Sequence, residues 1–233
     1  MKKILAVIPA RGNSKSIKKK NIVKINNKPL IYFTIKEAQK SKLITDLILS
    51  SESEEIKKIA NKYGCSTPFS RPKDLSRDST KTFPVIKHAL RFMENKKKIK
   101  YDLILLLQPT SPMREGSDID DTIKILSKNY NKYDSLVSIV DVGAWHPYRM
   151  KTIKNKYLRN FYEQGFEDMR ARQKLPKVYI RNGSIYLIKR EKFLKLKSLV
   201  GKSVYPYIMD EKRSINIDNY NDLAICKKYM NDC

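Results

Sequence analysis

The chain has 233 residues, 49 of them Lys or Arg against 24 Asp or Glu, for a formal net charge of +25. That length fits one α/β domain with at most a modest appendage, and 41% hydrophobic residues supply a core that argues against intrinsic disorder. No apolar run approaches the ~18–20 residues of a membrane span, and Cys65, Cys226 and Cys233 are too scattered for a disulfide framework or a zinc site, so a reducing cytoplasm is expected.

In chain order, Lys3–Ile8 is a compact apolar run broken by Pro9. It is shorter than the ~7–15 residues of a signal-peptide core and reads as a buried first strand. Pro29–Leu43 spaces Leu30, Ile31, Phe33, Ala38 and Leu43 as a helix does, and Asp46–Ser51 is a second strand. Glu52–Tyr63 reads as a helix stopped by Gly64, followed by a short strand near Cys65–Phe69 and a polar loop, Ser70–Thr80. Thr82–Asn95 is helical, Tyr101–Leu107 is the most apolar strand, and Gly116–Asn129 is a helix whose early Asp118, Asp120 and Asp121 suit its dipole. Ser135–Val140 is a strand. Residues 143–178 lose any strong period and read as an excursion, a lid or a dimer arm. Tyr179–Lys189 rejoins the sheet and Asn219–Met230 closes the chain as a helix. This alternation predicts a single α/β domain over 1–233, a mainly parallel, Rossmann-like sheet flanked by helices with a small inserted dimerisation or lid segment at 143–178.

Charge alone suggests a polyanion as partner. The excess, however, is 37 Lys to 12 Arg beside 15 Asn, a mixture that AT-rich coding also produces. A protein that binds nucleic-acid single strands interleaves aromatic rings with its cations. The basic segment Arg11–Lys20 has none, so no nucleic-acid partner is expected.

Chemistry should gather at the carboxyl ends of the strands, where open α/β sheets bind ligands. The first such loop carries Arg11, Lys15 and Lys20, cations suited to phosphate, around small and polar residues such as Ser14, with a single glycine and therefore no Gly-x-Gly-x-x-Gly or P-loop pattern. Gln108 ends the most apolar strand, before the stiff turn Pro109-Thr110-Ser111-Pro112, with an amide able to read a base or sugar edge. Arg71-Pro72 begins a polar stretch, Arg181-Asn182-Gly183-Ser184 interrupts a strand, and Ser214–Asp218 puts Asn216 and Asp218 on one face of an extended segment, a weak oxygen pair for a divalent cation.

These segments, in this order from Ile4 to about Ala224, resemble the acylneuraminate cytidylyltransferases. The resemblance is carried by Ile8-Pro9-Ala10-Arg11-Gly12-Asn13-Ser14-Lys15, Lys20-Asn21, Arg71-Pro72, Leu107-Gln108-Pro109-Thr110-Ser111-Pro112-x-Arg114, His146-Pro147, Arg172-Gln173-x-Leu175-Pro176, Arg181–Tyr186 and Ile215-x-Ile217-Asp218, and the stretch Met169–Tyr186 is most like the branch acting on legionaminic acid. The resemblance implies transfer of CMP from CTP to the anomeric hydroxyl of a nonulosonic acid, with Mg²⁺ as cofactor, pyrophosphate as product and a homodimer as the working form. Alternatives within it are a member that binds nucleotide without turnover, or one acting on another acid such as pseudaminic acid or KDO. It implies Arg11, Lys20 and Asp218 as catalytic residues. Arg11, Ser14, Lys15 and Lys20 would hold the triphosphate, and Asn21, Arg71 and Thr82 the cytidine. Gln108, Arg149, Arg172 and Tyr186 would face the sugar, and Asp218 with Asn216 the metal. Two departures stand out. Asn216 replaces the usual first Asp of the metal segment, and Ser16 replaces a Gly, which would strain the loop if that position needs a positive φ.

Overall fold

The computed structural model describes residues 2–162 and 168–231. Cys233 and the middle of the 143–178 excursion lie outside the described residues. Ten strands form around the apolar runs: β1 Ile4–Pro9, β2 Lys24–Ile25, β3 Lys28–Pro29, β4 Asp46–Ser50, β5 Leu103–Leu107, β6 Ser135–Asp141, β7 Lys151–Lys154, β8 Tyr157–Asn160, β9 Tyr179–Lys189 and β10 Val204–Ile208. The α-helices are α1 Leu30–Lys40, α2 Glu54–Lys62, α3 Thr82–Lys97, α4 Gly116–Lys128, α5 Arg190–Leu196 and α6 Tyr220–Asn231.

Six strands make one sheet in the order β10-β6-β9-β5-β1-β4. Pairings are parallel except along β9, which runs antiparallel to both β5 and β6. The expected mainly parallel sheet with helices on both faces is what forms.

Period-two patterning explains its two cores. Ile4, Ala6 and Ile8 of β1, with Leu103, Leu105 and Leu107 of β5, face Ile31 and Ile35 of α1, Ile56 of α2 and Ile123 of α4. Their neighbours Leu5, Val7, Ile104 and Leu106 face Ile86, Leu90 and Met93 of α3 and Phe193 of α5. Full burial of each such side chain stabilises by about 1.5–3 kcal/mol, so these alternating runs dominate the fold. A third cluster, Ile17, Ile25, Leu30, Ile217, Leu223 and Cys226, ties the loop after β1 to α6.

Differences from the sequence reading have local causes. The β2–β3 and β7–β8 hairpins turn on Asn26-Asn27 and Asn155-Lys156, all four with positive φ between 47° and 66°, without the Gly that usually marks such turns. Cys65–Phe69 forms only an isolated bridge, Ser66 to Ile48. The helix α5 and edge strand β10 leave no clear signal in the sequence, because seven residues and a Pro206-containing run carry little period. Gly64 does stop α2, at φ +79°. No helix among the described residues is long and apolar enough to cross a membrane.

Candidate active site

The carboxyl ends of β1 and β5, with the stretch from Arg71 to the start of α3, open onto a cleft of about 490 Å³. Of the residues singled out from sequence, Arg11, Ser14, Lys15, Lys20, Asn21, Arg71, Thr82, Gln108 and Asp218 all line it.

The loop after β1 is pinned at both ends. The Ala10 N–H donates to the Ser50 carbonyl at 3.0 Å, and Ile17 is buried in the α6 cluster. Ser16 does not adopt a positive φ; the left-handed residue is Lys19, at φ 53°, whose Nζ sits 2.7 Å from Glu55 Oε2. The replacement of Gly by Ser16 therefore costs no backbone strain. Asn21 is buried and donates from Nδ2 to the Arg11 carbonyl at 2.8 Å, fixing the loop from beneath.

Four cations of this cleft, Arg11, Lys15, Lys20 and Arg71, rest on carboxylates. Arg11 pairs with Asp78, which also lies 3.3 Å from Lys15 Nζ. Lys20 Nζ donates to the Ile217 carbonyl at 2.9 Å and to Asp218 Oδ1 at 3.2 Å. The buried Arg71 donates from Nη2 to Glu52 Oε2 at 2.6 Å and from Nε to Ser76 Oγ at 3.2 Å. Glu52 takes the Gly12 N–H on its other oxygen, at 2.6 Å. Burial works against the charge on Glu52, but the Gly12 N–H and the Arg71 guanidinium outweigh it and hold the carboxyl below its ordinary range. In the sequence Asp78 stands only as part of the polar loop after Arg71, and nothing local distinguishes Glu52 from a surface acid.

Gln108 forms the wall between this cleft and a second pocket of about 360 Å³, lined also by Arg181, Asn182, Gly183, Tyr186, Ser214 and Asn216. Between Val137 and Ile139 of β6 the register along β9 shifts, so that Asn182–Ser184 bulges out. Gly183 takes φ +77° there, and a Cβ on it would stand 3.0 Å from Gln108 Oε1. Ser138 Oγ donates to Asn182 Oδ1 at 2.6 Å, and Asn182 Nδ2 donates to Ser214 Oγ at 2.9 Å. Beneath, the fully buried Arg114 donates to the Ser184 carbonyl at 2.7 Å and to Thr34 Oγ1 at 2.9 Å, binding β9 to α1 under Gln108. Burial lowers its pKa to about 10, still charged at neutral pH.

The segment Ser214–Asp218 meets the cleft because the Ile217 N–H donates to the Thr110 carbonyl at 2.8 Å. Asp218 is then held by the start of α6, where Asp222 accepts from the Asp218 and Asn219 N–H groups at 2.8 and 3.0 Å. Asn216 Nδ2 donates to Asp218 Oδ2 at 2.6 Å, while its buried Oδ1 has no partner. Among the described residues no three His, Cys, Asp or Glu cluster as metal ligands. A partnerless buried amide oxygen beside an exposed carboxylate nevertheless fits a hard cation that keeps most of its waters and takes few protein ligands.

Arg149 and Arg172 line neither pocket. Arg149 Nη2 donates to the Arg170 carbonyl at 2.7 Å, and Arg172 Nη2 stands 3.7 Å from where a Cβ on Gly143 would be. Both belong to the excursion, whose β7–β8 hairpin exposes Ile153 (76%) and Leu158 (69%), with Trp145 (80%) nearby.

Comparison with known proteins bears on this geometry. The sequence matches the family described as "Cytidylyltransferase" over residues 5–226. It is 34% identical over 225 residues to the "Post-translational flagellin modification protein B" of Campylobacter coli, covering 97% of this chain and 94% of the relative. It is equally 34% identical over 225 residues to the "CMP-N,N'-diacetyllegionaminic acid synthase" of Campylobacter jejuni, with the same coverage. In fold, it resembles the structure of CMP:2-keto-3-deoxy-manno-octonic acid synthetase complexed with CTP, with a TM-score of 0.70 over 99% of each chain at 15% identity.

Proposed function

Because this chain belongs to the cytidylyltransferase family, we propose that it transfers CMP from CTP to the anomeric hydroxyl of a nonulosonic acid and releases pyrophosphate. The observation that carries the reading is the adjacency of two pockets across Gln108, one ringed by several cations and one by hydrogen-bonding groups with the single cation Arg181, with Asn216 and Asp218 where they meet. The Campylobacter jejuni relative is named for such an acid sugar.

In the reaction the anomeric oxygen attacks the α-phosphorus of CTP while the bond from that phosphorus to the bridging oxygen of pyrophosphate breaks. Arg11, Ser14, Lys15 and Lys20 hold the triphosphate, Asn21, Arg71 and Thr82 surround the cytidine, and Gln108 and Tyr186 face the sugar. No covalent intermediate is required. Holding two anions in a line of attack accounts for up to ~7–11 kcal/mol of barrier in favourable intramolecular cases. Lys20 and Arg11 stabilise charge as it moves onto pyrophosphate. Asp218 and the Asn216 amide oxygen would hold Mg²⁺, which when bound supplies neutralisation of the phosphate oxygens.

Pyrophosphate release, measured with CTP, Mg²⁺ and a panel of sialic, legionaminic, pseudaminic and KDO acids, is expected only when all three components are present. Silence across the panel would reject the reading. The replacement of a carboxylate by Asn216 supports a second reading, nucleotide binding without turnover, and Asn216→Asp separates them: brisk, equal rates in parent and variant discard it. The exposed apolar hairpin supports a homodimer formed through 143–178, working in the cytoplasm where CTP is supplied. Leu158→Asp should then shift the sedimentation coefficient from dimer to monomer.

A further inference from the structure

The proposed reaction brings a carboxylate-bearing sugar to the pocket beyond Gln108, yet Arg149 and Arg172 stand outside it. We propose that Arg181 is the anchor for the carboxylate of the acid sugar; the inference rests on the CMP-transfer reading above. Arg181 is the one charged side chain lining that pocket among the described residues, where its companions include Gln108, Asn182, Ser214 and Asn216, all neutral. No acid of the pocket competes for it.

Its state differs from that of the arginines that the protein itself fixes. Arg11, Arg71 and Arg114 are each bonded to a side chain of the protein. Arg181 is exposed, and its guanidinium makes no hydrogen bond or ion pair with the described residues. A permanently charged planar fork with open donors matches a carboxylate in bidentate geometry, and a lysine's point charge does so less well.

The backbone beneath it is fixed. Arg181 pairs with Ile139 just before the β9 bulge. The next residue, Asn182, is buried and bonded to Ser138 and Ser214. The bulge therefore aims a free cation at the sugar side, on a strand rather than a loop, which is how a recognition group is preorganised.

The test compares the parent with Arg181→Gln and Arg181→Lys, using the sugar that the parent accepts and the methyl ester of that same sugar. Loss of a charge-assisted pair should raise the KM for the free acid about 10- to 100-fold in Arg181→Gln, leave the KM for CTP and the thermal transition unchanged, and be partly rescued in Arg181→Lys. The methyl ester should show the same KM in parent and Arg181→Gln. An unchanged KM for the acid, or an equal rise for the ester or for CTP, overturns the assignment while the transfer reading stands. A parent that turns over no acid of the panel overturns that reading and the assignment with it.

Discussion

On the phosphate side of the cleft, Arg11, Lys15, Lys20 and Arg71 each rest on a carboxylate of the chain itself, whereas beyond Gln108 Arg181 rests on none. The phosphate-side pairs are themselves of two kinds. Asp78 is 43% exposed and Arg11 35%, so their attraction is screened and on the scale of 0.2–1 kcal/mol typical of surface pairs. A triphosphate carries far more charge than Asp78, so it can take both cations from it. Arg71 is 4% exposed and Glu52 23%, and they join the β1 loop to the Ser70–Thr80 loop from below. That pair fixes Arg71 in the cleft wall: separating it would leave a buried charge alone.

The largest effect expected from this contrast is on Lys20, which sits 12% exposed between Asp218 and the Ile217 carbonyl. Lys20→Ala should lower kcat about 10²- to 10³-fold, as removal of one preorganised donor to developing charge does; steady-state pyrophosphate release measures it. Next comes the pair of Arg71 and Glu52. Glu52→Gln should lower unfolding free energy by about 2–4 kcal/mol in urea titration, and little loss would show that Arg71 finds another partner.

The pH dependence follows in sign. The Glu52 carboxyl is lowered in the folded state from an ordinary value of 4.5, so its contribution is complete above about that pH and fades as pH falls through the lower folded value. Glu52→Gln should therefore flatten part of the acid limb of a stability-against-pH curve. The smallest effect belongs to the exchangeable pair. Asp78→Asn frees Arg11 and Lys15, and CTP should bind about three- to fivefold tighter by calorimetry, the scale of a surface pair, with cytidine binding unchanged. Weaker CTP binding would instead make Asp78 part of the binding machinery.

Much of this site was legible in the chain. A buried apolar run ending in Pro9 and followed by Arg11, Lys15 and Lys20 has few physical readings other than a strand and an anion loop, because strand burial and loop exposure are both local in sequence. Gln108 at the end of Leu103–Leu107 was legible for the same reason, and all of these line the cleft. Arg149 and Arg172 were assigned from motif resemblance alone, and this chain does not bring them to either pocket. The excursion had no period to place them.

Alternation of apolar residues and a stopping Gly64 are enough to determine the central strands, most helices and the loops that meet at the sheet's edge, since these depend on contacts within a few residues. Which acid holds which base was decided only in three dimensions: Asp78 lies 67 residues from Arg11 and Glu52 lies 19 from Arg71. The register shift in β9 is of the same kind. It arises where β6 pairs with a strand more than forty residues away, as Ser138 bonds Asn182 across 44 residues, and it leaves Arg181 unpaired beside the sugar pocket. Pairing across such separations is fixed by packing of the whole sheet, so the composition that made +25 conspicuous could not say which few cations would meet an anion.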